Sequence, residues 1–176
     1  MIITIMHHIH TMKKLLLFLA LIVTASCSQA QTAKPNIDKI PSFRILNQDS
    51  VYITNANLKK DKAVMIIYFA PDCTHCQHMM YEMKPDMKKF SNVQVVMVTF
   101  IQTSYLKLLR EFRRDYNLAA YPNFITGTEY PNYGVQRYFQ VETTPYIAIY
   151  DRKGKLVKAF DKAPKTEELV AAVKGI

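Results

Sequence analysis

Tryptophan is absent from this chain, and among 176 residues glycine occurs four times and cysteine three times. Scarce glycine excludes a collagenous chain, and 49% hydrophobic against 21% charged residues excludes a disordered one. No apolar run reaches the roughly 20 residues that a membrane-spanning helix needs, and there is no internal repeat. Acids are also in short supply, with 14 Asp and Glu against 23 Lys and Arg and a formal net charge of +9. The lysines are dispersed along the chain rather than massed, which argues against a nucleic-acid partner. An anionic membrane surface and ordinary solvated faces account for the charge equally well. What remains is one domain, long enough to bury a core.

The first 30 residues read as a targeting segment. Lys13 and Lys14 form a positive region ahead of the apolar LLLFLALIV, Leu15 to Val23, which is too short to span a membrane. Met12 then reads as the start, and residues 1–11, with His7, His8 and His10, as an upstream extension. Two cleavage readings stay open. Ser28-Gln29-Ala30 has the small residues a signal peptidase selects. Thr24-Ala25-Ser26-Cys27 resembles a loose lipobox, with Cys27 lipidated. Either reading places the protein in the periplasm, free or anchored to the envelope through Cys27, where disulfides persist. Residues 31–40 read as a linker and 41–176 as the folded domain. Cys73 and Cys76 are then the only free thiols left, and His75 and His78 the only histidines.

PSFRILNQDSVYIT, Pro41 to Thr54, predicts a β-hairpin around the turn-forming NQDS. Ala63–Ala70 is a continuous apolar run, as in a strand buried on both faces, and Val93–Ile101 reads as a second buried strand. Between them Met79, Met80, Met83, Met87 and Phe90 share a helical face, so a helix over Cys76–Phe90 is predicted, kinked by Pro85. The methionine stripe reads as core packing. Tyr105, Leu106, Leu109, Phe112 and Tyr116 mark a second helix, and the alternation implies a parallel βαβ unit. The stretch 118–133, with Tyr121, Tyr130 and Tyr133, reads as a loop. A short helix over Val135–Val141, a buried strand over Tyr146–Tyr150, a turn, an antiparallel strand over Lys155–Phe160 and a helix striped by Leu169, Val170, Val173 and Ile176 complete the chain. The fold class is α/β: a central mixed sheet flanked by helices, with an N-terminal hairpin.

Chemistry concentrates in PDCTHCQHM, Pro71 to Met79. With Cys73 at a strand end and Cys76 in the first helical turn, the two sulfurs meet. The helix dipole and its unpaired N–H groups favour the Cys73 thiolate. Cys76, more buried, resolves a mixed disulfide. His75, as cation or donor, would stabilise the thiolate further. A purely structural disulfide closes too small a loop to contribute much. Structural zinc needs about four ligands, and the His75 ring cannot easily turn toward a metal held by both sulfurs. The alternative function is a copper(I) chaperone using Cys73, Cys76 and Met79, because thiolate and thioether are soft ligands.

With these residues, and with Thr143-Thr144-Pro145 ahead of YIAIYDRKGKLVKAF, residues 40–174 resemble the exported thioredoxin-like thiol–disulfide oxidoreductases of the TlpA/ResA-like group. The resemblance implies a thioredoxin fold with Cys73 attacking and Cys76 resolving. It implies a cis bond before Pro145, which would otherwise read as a trans strand-entry proline. It also implies that Thr144 and Pro145 face the disulfide and that the Thr144 backbone pairs with an extended substrate segment. No cofactor beyond the Cys73–Cys76 disulfide is implied. The partners would be envelope protein thiols or disulfides and a membrane electron donor, with the protein a monomer. The resemblance argues for a reductase; His75 argues for an oxidising poise. Asp72 stands where thioredoxins usually carry Trp. The buried acid of many relatives is missing, with Ile67 and Met79 at its two positions. Glu142, Asp72 and His75 are candidates to replace it, although Glu142 reads more readily as a surface acid.

Overall fold

The computed structural model describes residues 36–176, so the targeting segment, Cys27 and residues 31–35 lie outside the described residues. In chain order the elements are β1 (Arg44–Leu46), β2 (Tyr52–Thr54), β3 (Ala63–Tyr68), α1 (Thr74–Met83), β4 (Val93–Thr99), α2 (Leu106–Asp115), β5 (Phe124–Thr128), α3 (Gly134–Phe139), β6 (Tyr146–Tyr150), β7 (Leu156–Phe160) and α4 (Thr166–Val173). No helix among the described residues is long and apolar enough to cross a membrane.

Every residue of β3 and β4 is buried, Gln94 and Thr99 of β4 included, as strands covered on both faces require. Alternation sorts their side chains. Met65 and Ile67 join the methionines of α1, Leu109 and Phe112 of α2 and Leu169 of α4 in one core, while Val64, Ile66 and Tyr68 pack with Val135 and Phe139 of α3 in the other. The sheet runs β2-β1-β5-β4-β3-β6-β7. β3, β4 and β5 are parallel; β6 opposes β3, β7 opposes β6 and β1 opposes β5. The C-terminal ends of β3, β4 and β5 therefore share one end of the sheet with the start of β6. That end carries the cysteines.

Three sequence expectations change. The supposed loop 118–133 contains β5, an interior strand beside β4. Gly127 conceals it, because glycine is a poor strand former. The fold needs glycine there: a Cβ at Gly127 would lie 2.9 Å from Ile45 Cβ. The N-terminal hairpin is consequently part of the main sheet, joined through Leu46 opposite Thr128. The helix predicted to run to Phe90 is α-helical only to Met83, and Lys84–Phe90 continues as a 3₁₀ segment with Pro85 in its first turn. Proline has no N–H for an i−4 bond, and its ring collides with that carbonyl. Finally, the end of the linker is docked: the Tyr150 hydroxyl donates to the Ile37 carbonyl (3.1 Å), and the Leu156 N–H to that of Asp38 (3.0 Å).

Candidate active site

After β3 the chain continues to pair, Phe69 N–H donating to the Val98 carbonyl (2.9 Å), and then turns, Cys73 N–H donating to that of Ala70 (3.1 Å). Cys73 is extended, with φ −77° and ψ 120°, and caps α1. Its carbonyl accepts the Gln77 N–H (2.9 Å), closing the first turn. The Gln77 side-chain amide reaches back to the Pro71 carbonyl (2.9 Å), and the Tyr116 hydroxyl donates to the Gln77 carbonyl (3.0 Å). These bonds fix the loop against α1 and α2. No acid lies in the first turn of α1 to oppose a thiolate there.

The two thiols are free and differ in burial: Cys73 is partly exposed and Cys76 is sealed in the core. The Cys73 thiol lies 3.5 Å from the Thr144 carbonyl, and the Thr144–Pro145 bond is cis. Burial pushes Cys73 up. Hydrogen bonds from the Thr144 side chain, the Cys76 N–H, the Cys76 thiol and the His75 N–H outweigh it and bring the pKa down to about 7. Burial pushes the Cys76 thiol up to about 12. One sulfur is ionised near neutral pH and reachable; its neighbour holds its proton.

The other sequence candidates divide. Thr144 lies against Cys73, and Pro145 follows it across the cis bond. His75 contributes its backbone N–H to Cys73, while its side chain is exposed. Asp72 is exposed beside the motif and lines a cleft of about 310 Å³ with Gln77 and Tyr116. Glu142 is exposed two residues before Thr144. Met79, the third copper ligand of the alternative reading, is 1% exposed and packed in the core beneath α1. His78 faces Glu82 at 3.7 Å on the helix surface. Among the described residues no cluster of three or more His, Cys, Asp or Glu is placed to hold a metal.

Sequence reasoning missed one residue with a strong physical signature. Glu129, just past β5, is 3% exposed. Its carboxylate accepts the N–H groups of Val135 (2.6 Å) and Gln136 (3.1 Å) at the start of α3. The buried Tyr68 hydroxyl lies near it without a hydrogen bond of good geometry, and burial first, then the Glu129 charge, raise the Tyr68 pKa. Only its place ahead of Gly134 could have marked it, as an acid preceding a short helix. Tyr68 and Glu129 belong to the α3 face of the sheet, whereas Cys76 belongs to the opposite face.

A mixed sheet in this order, a C-x-x-C pair at the head of the first long helix and a cis-proline opposite it define the thioredoxin fold. The family model described as thioredoxin-like domain matches residues 50–174, and the chain belongs to that family. Solved structures share the fold. A secreted disulfide oxidoreductase of Mycobacterium tuberculosis, homologous to E. coli DsbE, superposes with a TM-score of 0.63 at 17% identity, over 76% of this chain and 96% of that one. StoA from Bacillus subtilis does so at 0.58 and 15%, over 77% and 99%. A thioredoxin-like protein from Aeropyrum pernix gives 0.57 and 23%, over 77% and 89%. No curated protein sequence matches the chain.

Proposed function

We propose that the protein is a thiol–disulfide oxidoreductase of the cell envelope that acts on protein substrates, principally as a reductase. The observation that carries this reading is the inequality of two adjacent thiols, Cys73 at about 7 and accessible, Cys76 at about 12 and buried. In the reductive direction the Cys73 thiolate attacks one sulfur of a substrate disulfide, and the other substrate sulfur leaves as a thiolate that takes up a proton. Cys76 then gives up its proton and attacks Cys73. The substrate departs with two thiols, and two electrons have passed from the protein, which now holds the Cys73–Cys76 disulfide. An extended substrate segment fits beside Thr144, where backbone pairing would hold its cysteine near Cys73. The Cys73–Cys76 pair is the whole redox group, and a dithiol donor at the membrane restores it.

A Cys73 pKa of about 7 supports the reducing direction. It matches the value of about 7 typical of thioredoxin and lies far from the value of about 3.5 of the strong oxidant DsbA. The leader-like N-terminus supports an envelope location. Two measurements test the reading. Iodoacetamide should label Cys73 with a rate that is half-maximal near pH 7, with Cys76 silent until far higher pH. The pair's reduction potential should lie near about −270 mV rather than about −120 mV. Equal labelling of both thiols only at alkaline pH would remove the activated nucleophile, and a potential near the higher figure would reverse the direction.

A further inference from the structure

The dispersed lysines converge in the fold. The loops before β3 and β4 and the turn joining β6 to β7 all lie at the end of the sheet opposite the cysteines. Each carries three cations and one aspartate. The first brings Lys59, Lys60 and Lys62 against Asp61; the second brings Lys84, Lys88 and Lys89 against Asp86. The third brings Arg152, Lys153 and Lys155 against Asp151. All nine cations are exposed except Lys62, which is half-buried and donates to the Ser91 carbonyl (3.1 Å). Among the described residues only Lys89 of this set forms an ion pair, with Asp86 at 2.9 Å. Asp151 is occupied by its own turn, accepting the N–H groups of Lys153 and Lys155 at 2.9 Å each. Between the first two loops opens a cleft of about 630 Å³ lined by Lys59, Lys62 and Lys88 with Asn57, Asn123 and Tyr121, and no carboxylate lines it.

The cysteine end has the opposite sign. Asp72, Glu142, Asp161, Glu167 and Glu168 are exposed there, against Arg44, Lys162 and Lys165, while Lys107 at the start of α2 is paired with Glu111 (3.7 Å). The domain is thus an electrical dipole along the strands. The first described residues to meet the sheet, 37–39, do so at the basic end, where Lys39 bridges to Lys155.

We propose that this basic end is a docking surface for an anionic phospholipid bilayer, which holds the redox motif facing away from the membrane. A negative lipid surface attracts cations within about one Debye length, about 10 Å at 0.1 M salt. The six residues of β3 alone span about 20 Å, so in this orientation the acidic end lies beyond that reach, whereas the reverse orientation would press its carboxylates against the anionic surface. The cations are spread over three loops across the β4-β3-β6-β7 part of that end rather than following one groove. That suits a broad, planar partner better than a strand of nucleic acid or an acidic peptide. The lysine-lined cleft offers a seat for a phosphate headgroup. The surface is independent of the thiol chemistry, and its failure would leave that chemistry intact.

The test takes the protein as the cell processes it and offers vesicles of phosphatidylcholine with or without phosphatidylglycerol. Hydrogen exchange should slow in 57–62, 86–92 and 152–155 only on the anionic vesicles, with the amides of the Cys73–Cys76 turn unchanged, and added salt should reverse it. In the form without a lipid at Cys27, charge reversal at Lys59, Lys60, Lys88 and Lys89 to Glu should lower vesicle partitioning at least about tenfold. Reversal of Lys162 and Lys165 should change it less than about twofold. Both variants should keep insulin-reducing activity. Equal exchange patterns on the two vesicles would overturn the proposal. So would equal losses from the two ends, or binding to soluble polyglutamate with none to vesicles.

Discussion

β3 and β5 are both parallel neighbours of β4, both end at the same edge of the sheet, and both lead into a helix after a turn. One turn ends in Cys73, the other begins with Glu129. Glu129 is buried, and each of its carboxylate oxygens accepts an N–H group of α3. Cys73 is partly exposed, and its hydrogen bonds favour the anion without enclosing it. The difference teaches what separates a structural ionisable group from a reactive one. Full burial with every acceptor used yields a fixed element of the fold. Partial exposure with a stabilised charge yields a nucleophile. Burial of an acid near a redox motif is therefore not enough to make it a proton carrier. Glu129 also packs on the α3 face, across the sheet from Cys76.

The largest expected effect sharpens this contrast at Cys73. Cys73→Ser should lower insulin reduction at least about a thousandfold, a loss of some 4 kcal/mol of transition-state stabilisation. Cys76→Ser should leave labelling at Cys73 and trap a mixed disulfide with substrate, seen on non-reducing gels. A protein that still turns over without Cys73 would end the redox reading. The same residue couples to stability. Its folded pKa is depressed from 9.0 to about 7, so its contribution to the reduced protein is complete above pH 9 and is lost as pH falls through 7. The unfolding free energy of reduced wild type relative to Cys73→Ser should accordingly grow from pH 6 to pH 9.

Glu129→Ala should act on the other side of the comparison. It strands the buried Val135 N–H and the Gln136 N–H, so urea unfolding should show a loss of about 3 kcal/mol. Insulin reduction per folded molecule should stay within about twofold, since a packing defect across the sheet leaves the thiols in place. Full stability with lost activity would break the contrast and make the carboxylate part of the chemistry.

β3, β4 and β6 were legible in the sequence because strands covered on both faces must be apolar almost throughout. The cysteine motif was legible because its position between strand and helix fixes what two thiols can do. β5 was hidden because its requirement is a contact. Gly127 is there for Ile45, which comes from a strand about 80 residues earlier, and no local pattern records that approach. Glu129 was hidden for a similar reason: an acid reads as solvated until the fold brings Val135 and Gln136 to it. The basic end was spelled out in three short loops, and only the strand order brings them together. Gly127→Ala should cost about 1–3 kcal/mol through overpacking, and combining it with Ile45→Ala should cost less than the sum of the two single changes, as groups sharing one space do.

His75 gives the smallest and finest test, because ring and backbone can be separated. Cys73 receives the His75 N–H, while the imidazole stands exposed. His75→Ala keeps the N–H and should leave the Cys73 labelling profile and the reduction potential unchanged. His75→Pro removes the N–H at a first-turn position where proline fits a helix. The thiolate then loses a donor, its pKa rises, and the dithiol form is less favoured, so the potential should fall by about 30 mV, a factor of ten in the exchange equilibrium. A shift caused by alanine as large as that caused by proline would assign the effect to the ring. Cys73 would then be tuned by a side chain, and the distinction drawn from Glu129, that the fold's own N–H groups decide which ionisable residue is fixed and which reacts, would hold at only one of the two turns.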